Sequence, residues 1–507
     1  MKKIYLVMAS LCLSLATFAQ NEQDALRYSQ NKVFGTARVQ GAGGAFGALG
    51  ADASAIAINP AGLALYRKTE ISASLGVSSY FSDSRYIGTN STETKTGLNI
   101  PQFGIVFTKI QQGLSGDETK GLVSYSFGFG MNRLNDFNQN SNFTGVNTKS
   151  SISDFFAEQA NGQNLNLGPA SYVNKLGGMA YWNYMIDSLS PLKYGSTFKS
   201  NNDTNFSIQQ SNIDKITGRI NEYAFSSGIN ISNSLYFGAS LLFQNVNFES
   251  SRVFKEEVLT KSIANNTYQS SVFDIKSKTE GTGIGGRFGL IIKPFDYLRV
   301  GLSYTTAVRL NLKDEYSFGL KSIGNTNAYV YIANQRVDYT EYDIVTPSKL
   351  TVSGAIMHPK LGFISIDWDR VDYTAARLTS GESLFTVENN AIKTNYRAAN
   401  NVRIGAELKY FNTRFRGGYS YYESPFNSTS LGVSLDNPTQ SVSGGLGFLF
   451  PSIDNFGTDF FIDGALTYIW NKNYQTPYQL VEKGKTTYSA ENNFSLLNVV
   501  VTAGFRF

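Results

Sequence analysis

From residue 69 to the C-terminus the chain alternates apolar and polar residues with period two. After Asn401, residues Val402, Ile404, Ala406, Leu408 and Tyr410 share one face, and Arg403, Gly405, Glu407 and Lys409 the other. The stretch after Thr413 sets Phe415, Gly417, Tyr419 and Tyr421 against Arg414, Arg416 and Ser420. Leu298, Val300, Leu302 and Tyr304 oppose Arg299, Gly301, Ser303 and Thr305; the last segment sets Val499, Val501, Ala503, Phe505 and Phe507 against Asn498, Thr502 and Arg506. Such alternation is the mark of strands with one apolar face. It predicts fourteen of them, at 69–82, 97–109, 120–136, 217–231, 234–251, 271–293, 296–313, 340–357, 360–374, 394–411, 413–424, 438–451, 457–474 and 492–507.

The connections alternate too. One end has tight turns such as Ser232-Asn233-Ser234, Pro294-Phe295-Asp296, His358-Pro359-Lys360 and Asn412-Thr413, with residues 110–119 a longer turn. The other end has polar loops at 83–96, 137–216, 252–270, 314–339, 375–393, 425–437 and 475–491. Short turns at one rim and long loops at the other are the plan of an outer-membrane barrel. Alternation alone fits a soluble sandwich equally well. Composition separates the two: charged residues are 16% and aromatics 14% of the chain, with only 11 prolines. A soluble protein carries about 25% charged residues.

The N-terminus predicts export. Lys2 and Lys3 precede an apolar run from Ile4 to Leu15, and Thr17-Phe18-Ala19 is a small-residue cleavage site, so residues 1–19 form a signal peptide. The one cysteine, Cys12, lies in that peptide, so the mature chain has no thiol for disulfides, zinc or nucleophilic catalysis. Removing Lys2 and Lys3 lowers the formal charge from +5 to +3, which does not suit nucleic acid. No later stretch has 18 consecutive apolar residues. An exported chain without a spanning helix enters a membrane as a closed barrel, because only that form satisfies strand hydrogen bonds in hydrocarbon.

Gly35 to Tyr66 differs from the rest, being rich in Gly and Ala and ending in a turn at Asn59-Pro60-Ala61-Gly62. Small residues let backbones touch, which suits this stretch to a short plug inside something larger. The 137–216 loop predicts a helix at Ile152–Ala157, capped by Ser153 or Asp154, and an apolar patch that includes Tyr172, Val173, Leu176 and Met179. Phe155, Phe156, Tyr181, Trp182 and Met185 in that loop either pack over the mouth or form a groove where an apolar ligand enters. Strand 120–136 has interior glycines, Gly128 and Gly130, followed by Asn132. The glycines mark a bulge or kink, or a tight fit against the plug.

Catalytic chemistry finds little support. His358 is the single histidine and sits in a turn, and Gly281-Thr282-Gly283-Ile284-Gly285-Gly286 leads into a strand where a dinucleotide site needs a helix. No zinc-ligand spacing occurs, and no metal or cofactor is implied. Arg287, Arg299, Lys349, Arg403, Lys409, Arg414 and Arg416 fall on inward faces. They either balance Glu407, Asp367 and Asp369, or lend one or two guanidinium groups (Arg287, Arg299, Arg403 and Arg416 being the candidates) to a ligand carboxylate.

The run GAGGAFGALGADASAIAINPAGLA resembles the N-terminal hatch of the FadL-type outer-membrane transport family, which carries an Asn-Pro-Ala motif. Thr346-Pro347-Ser348-Lys349-Leu350-Thr351-Val352-Ser353-Gly354 with Ile366-Asp367-Trp368, Arg403-Ile404-Gly405-Ala406-Glu407 with Arg416-Gly417-Gly418-Tyr419, and the terminal Phe507 are similar to further family patterns. The resemblance spans the mature chain, and Asn59, Pro60 and Ala61 carry over as the hatch motif. It implies an all-β, 14-stranded antiparallel transmembrane barrel formed by 67–507, with residues 20–66 as the hatch in its lumen, lying in the outer membrane of a Gram-negative-type envelope. It implies passive uptake of a hydrophobic small molecule such as a long-chain fatty acid past lipopolysaccharide, with a hatch shift opening the wall at the kinked strand. The lipid bilayer and the barrel-assembly machinery, reading Phe507, are the expected partners. On this reading Asn59 is expected to bond strand three between Gly128 and Asn132. The other readings are a receptor for haemin or another aromatic ligand, served by a Tyr-rich lumen, and a structural or secretion-linked barrel.

Overall fold

The computed structural model describes residues 22–111, 120–165, 176–198, 205–261, 268–324, 336–381, 384–427, 437–451, 457–482 and 485–507. The signal peptide, Tyr172 and Val173, and most of the 110–119 turn lie outside these residues.

Fourteen antiparallel staves close into a barrel. They are Glu70–Tyr86, Thr89–Ile110, Leu122–Asp136, Ser207–Ile231, Leu235–Thr260, Tyr268–Phe295, Leu298–Thr305, Lys349–His358, Gly362–Asp372, Ala398–Tyr410, Thr413–Tyr422, Thr439–Phe450, Asp459–Gln475 and Ala490–Arg506. Closure comes from the first and last, which pair from Glu70–Arg506 to Arg85–Glu491. The Phe507 amide adds one more bond to the Thr69 carbonyl, at 2.9 Å.

The faces divide as the alternation predicts. On Leu235–Thr260 the exposed Leu235, Phe237, Leu241 and Phe243 point outward while Tyr236, Ser240, Leu242 and Gln244 are buried inward. Beyond Phe243 the outward positions turn polar, at Asn245, Asn247 and Glu249, so the apolar belt is about ten residues tall, the height a strand needs to cross the hydrocarbon. The rest of this strand rises above the belt.

That rise explains the main difference from the expected spans. The loop expected at 83–96 is strand almost throughout: Tyr86 pairs with Thr89 across a two-residue turn in which Ile87 and Gly88 both have positive φ. Much of the loops expected at 252–270 and 314–339 is likewise strand, as Leu235–Thr260, Tyr268–Phe295 and Arg309–Gly324. Above the membrane both faces meet water or polar loops, so a strand there needs no apolar stripe and leaves no period for a reader to find.

Strands expected to run unbroken at 296–313 and 340–357 are interrupted instead. Leu298–Thr305 resumes as Arg309–Gly324, and Arg336–Val345 gives way to Lys349–His358. Pro347 has no amide to donate there. Threonine hydroxyls mend the seam: the Gly286 amide donates to Thr306 Oγ1 and the Val308 amide to Thr346 Oγ1, both at 3.0 Å.

The interior is stacked in storeys along the barrel axis. Nearest the long-loop rim is a cap with its own core, built around Phe156, Met179, Met185, Phe198 and Phe254. Below it an N-terminal helix, α1 (Glu22–Ser29), sits in an apolar cluster with Ile220, Phe248, Leu310 and Tyr373. Residues 35–66 fill the next level, near the short turns.

Candidate functional site

The plug is held backbone to backbone. Its elements are short: α2 (Ala37–Gly41), α3 (Ala55–Ile58) and a 3-10 turn, Pro60–Leu65. Around them, at one level of the wall, stand Gly104, Gly128, Gly228, Gly238, Gly289, Gly301, Gly405, Gly418 and Gly445, each in contact with plug atoms. A Cβ on Gly238 would lie 2.2 Å from the Pro60 carbonyl carbon, and one on Gly405 would lie 2.2 Å from the Ala42 oxygen. Neither contact leaves room for a side chain.

Asn59 organises the turn. Its Oδ1 accepts the Ala61 amide at 3.1 Å, with Pro60 occupying the first helical position where no donor is needed. Its Nδ2 donates to the carbonyls of Gly47, at 2.7 Å, and Leu290, at 3.3 Å. Asn59 therefore contacts the Tyr268–Phe295 strand. The expected bond to strand three does not form; Ile56 and Leu63 occupy that place, reaching within about 3.1–3.3 Å of where side chains on Gly128 and Gly130 would begin. Apolar side chains fit there because both glycines leave bare backbone.

The inward arginines are committed to the plug and to carboxylates. Arg287 donates to the Ile56 carbonyl at 2.8 Å and makes a two-pronged pair with Glu222. Arg299 donates to the Leu49 carbonyl at 2.8 Å. Arg403, fully buried, bridges Asp367 and Asp369 and donates to the Gly44 carbonyl at 3.2 Å. Asp367 in turn accepts the amides of Phe46, at 3.0 Å, and Gly47. Arg416 pairs with Glu407 and Asp463. The balancing network expected from sequence is thus joined by plug carbonyls and by Glu222 and Asp463, which occupy Arg287, Arg403 and Arg416; Arg299 has no carboxylate partner among the described residues and keeps its buried Nε without a hydrogen bond. Further wall groups reach the plug: Thr502 Oγ1 accepts the Ala37 amide at 2.7 Å, and Ser365 donates to the Ala45 carbonyl at 2.6 Å. Serine and threonine on inward faces are common in any polar lumen, so nothing in the sequence singles these two out.

Strand three marks a break in the wall. Its ladder with Thr89–Ile110 runs from Ile110–Ser124 only as far as Gln102–Asn132. Past that rung the Thr89–Asn99 backbone pairs on one side only, with the first stave, and its other side is bridged higher up by side chains, Lys95 Nζ to the Ile216 carbonyl and Asn142 Nδ2 to Glu93, both at 2.9 Å. Strand three keeps its other neighbour, Ser207–Ile231, through a bulge between Arg133 and Asn135, and resumes as Gln139–Asn147. The irregularity lies just past the glycines, which serve as landing points for the plug. The result is a wedge with Asn132 and Gln102 at its apex, and both side chains keep buried polar atoms without a partner. Leu134, inside the bulge, turns inward into the α1 cluster.

The cap places the aromatic candidates of the long loop. Helix α4 runs Ile152–Ala160, longer than expected, and its cap is Ser151 in a capping box with Asp154. Phe155, Phe156 and Met185 are buried, with exposures of 9%, 0% and 0%, and Tyr181 and Trp182 on α5 (Leu176–Trp182) are half-buried. The first three belong to a closed core and line no open groove, because they pack against one another and against strand extensions invisible to the periodicity. Glu256, well above the belt, holds this cap: it accepts from Ser151 Oγ at 2.6 Å, the Ile152 amide at 2.8 Å and Gln210 Nε2 at 2.6 Å. Burial pushes its carboxyl up to about 7, against the pull of those three donors.

His358 is exposed and its Nδ1 accepts the amides of Lys360 and Leu361, so it closes a turn.

A barrel closed on itself, belted with apolar side chains and filled by its own N-terminal segment defines a plugged transmembrane β-barrel. More narrowly, the chain has the FadL-type barrel fold. It is similar to a Pseudomonas aeruginosa FadL homologue, with a TM-score of 0.56 at 12% identity over 94% of this chain and 100% of that one. It is also similar to the P. putida toluene transporter TodX, with a TM-score of 0.52 at 14% identity over 94% and 99%. No protein-family model and no curated relative matches the sequence.

Proposed function

We propose that the chain is a member of the FadL-type family and an outer-membrane channel for passive uptake of hydrophobic compounds, long-chain fatty acids among them. The observation that carries this reading is the adjacency of three features at one place: the wall wedge above Gln102 and Asn132, the plug residues Ile56 and Leu63 at its base, and the apolar cluster just inside. An apolar solute reaching that cluster has a short lateral path into lipid and a polar, plugged path onward. Lateral release avoids returning the solute to water, whose cost is about 25 cal/mol per Å² of apolar surface. The plug then gates the path by moving Ile56 and Leu63 away from strand three. Capture falls to the outer side of the long-loop cap, where Tyr181 and Trp182 stay half-exposed, and the FadL homologue and toluene transporter of like fold support the hydrophobic class. The Asn59-Pro60-Ala61 turn keeps the plug seated, and we assign no catalytic role.

The test uses proteoliposomes and two solutes, toluene and a fluorescent long-chain fatty acid. Uptake above that of protein-free vesicles is expected, and its absence overturns the channel. A disulfide between Gly41→Cys and Ala465→Cys, whose Cβ positions lie 3.6 Å apart, would lock plug to wall. Loss of uptake on oxidation and recovery on reduction are expected; unchanged uptake would remove hatch gating and leave the channel standing.

A further inference from the structure

Under the plug, at the short-turn rim, lies a cavity of about 380 Å³. Its roof is plug, including Arg38 and Leu65, and its walls are the inner faces of the last staves. Most charges facing it are matched: Glu407 with Arg416, Lys68 with Asp459 at 2.8 Å, and Arg506 with Glu70 at 2.7 Å. Arg38 sits 3.6 Å from Glu407 and donates to the Ala51 carbonyl.

One rung breaks the pattern. Lys409 and Arg414 stand directly opposite each other on neighbouring strands, two rungs below the matched Glu407–Arg416 pair and on the same face. Like charges across a rung repel, and a sheet normally avoids them. Among the described residues neither makes a direct ion pair, and the carboxylates that act on them, Glu407 on both and Asp463 on Arg414, are already paired with Arg416: Lys409 Nζ donates to the Pro359 carbonyl at 3.3 Å, and Arg414 Nη1 to the carbonyls of Phe411 and Thr413. Both are half-buried, so solvent screens them incompletely. Arg67 at the rim adds a third cation, with an amide oxygen of Asn233 as its partner. Leu65, Leu449 and Phe461 supply an apolar part of the lining, beside Tyr66 and the Arg416-paired Asp463.

We propose that this cavity binds the head of a single-chain anionic amphiphile, with Lys409 and Arg414 as the counter-charges and Leu65, Leu449 and Phe461 against the first carbons of its tail. An ammonium and a guanidinium side by side on one sheet face offer adjacent donors to the two oxygens of a carboxylate or phosphate monoester. A bare anion would leave the apolar part of the lining unused, and a neutral alcohol would leave the two cations unmatched. The cavity lies across the plug from the α1 cluster, so the site stands whether or not the plug opens. The amphiphile reaches it either from the lumen or from the lipid at the short-turn rim.

The experiment places the barrel in zwitterionic-lipid nanodiscs and follows [1-13C]dodecanoate by carboxyl chemical shift, with dodecanol and inorganic phosphate as competitors. Saturable dodecanoate binding is expected, at least tenfold weaker in Lys409→Gln/Arg414→Gln and restored in Lys409→Arg/Arg414→Lys. Dodecanoate binding unchanged in the glutamine variant overturns the site. Equal competition by dodecanol overturns the anionic head, and phosphate binding as tightly as dodecanoate overturns the amphiphile. Binding that persists with the plug disulfide-locked assigns supply from the rim, and binding lost on locking assigns it from the lumen; either supports the site. Uptake of toluene by the glutamine variant should match the unmodified chain, which separates failure here from failure of the channel.

Discussion

The carboxylate of Glu256 sets a pH dependence on the outer cap. Three donors surround it and, among the described residues, it has no ion pair; Asp154 acts on it as a like charge, with Lys485 lying 3.8 Å from Asp154. Burial raises its pKa from the ordinary 4.5 to about 7. That difference is worth about 3 kcal/mol in favour of the protonated, closed form. A carboxyl with a raised folded pKa contributes its stabilisation fully below the unfolded value and loses it as pH climbs through the folded one. The cap is therefore tightest below about pH 4.5 and loosens between there and about pH 7. Hydrogen exchange of the α4 amides reads this directly, because the opening that exposes them also wets Glu256. After correction for the chemical exchange rate, protection at pH 8 is expected to be lower than at pH 4.5 by on the order of a hundredfold. Glu256→Gln, whose amide oxygen still accepts from Ile152 and Gln210, should flatten the profile. Protection that stays constant or rises with pH in the unmodified chain would refute the reasoning, since the donors would then outweigh burial.

Other consequences follow from the plug. Gly405→Val puts side-chain atoms where the Ala42 carbonyl lies 2.2 Å from the Cβ position, so the plug must shift; planar-bilayer recording should show ion conductance where the unmodified barrel is silent. Arg403→Ala strands the buried Asp367 and Asp369 together and should destabilise plug seating by about 3–5 kcal/mol, seen as protease cleavage within 35–66 at lower denaturant. Asn59→Ala removes the cap of the 3-10 turn and the bonds to Gly47 and Leu290, a loss of about 1–2 kcal/mol by the same assay.

Much of the barrel was legible because lipid forces a pattern on it. Val499, Val501 and Phe505 had to face outward together, and the short turns at Ser232-Asn233-Ser234 and His358-Pro359-Lys360 gave the rim. The strands above the belt were hidden for the complementary reason: Thr92, Thr94 and Thr96 face no lipid, so their alternation carries no apolar signature. The plug was legible as a composition, since Gly and Ala are what close backbone contact demands. Its partners were not: Gly238 and Gly405 look like any other strand glycine until the plug is set against them. The long loop misled in another way. Phe155, Phe156 and Met185 signal an apolar surface, and only the fold shows that the surface is an interior.

The seam between the first and last staves bears on how such a molecule is made. The segment that fills the bore precedes the first stave in the chain, yet one of its anchors, Thr502, belongs to the final one. That anchor cannot exist until the last stave is in place, so the part of the chain made first is among the last to be fixed.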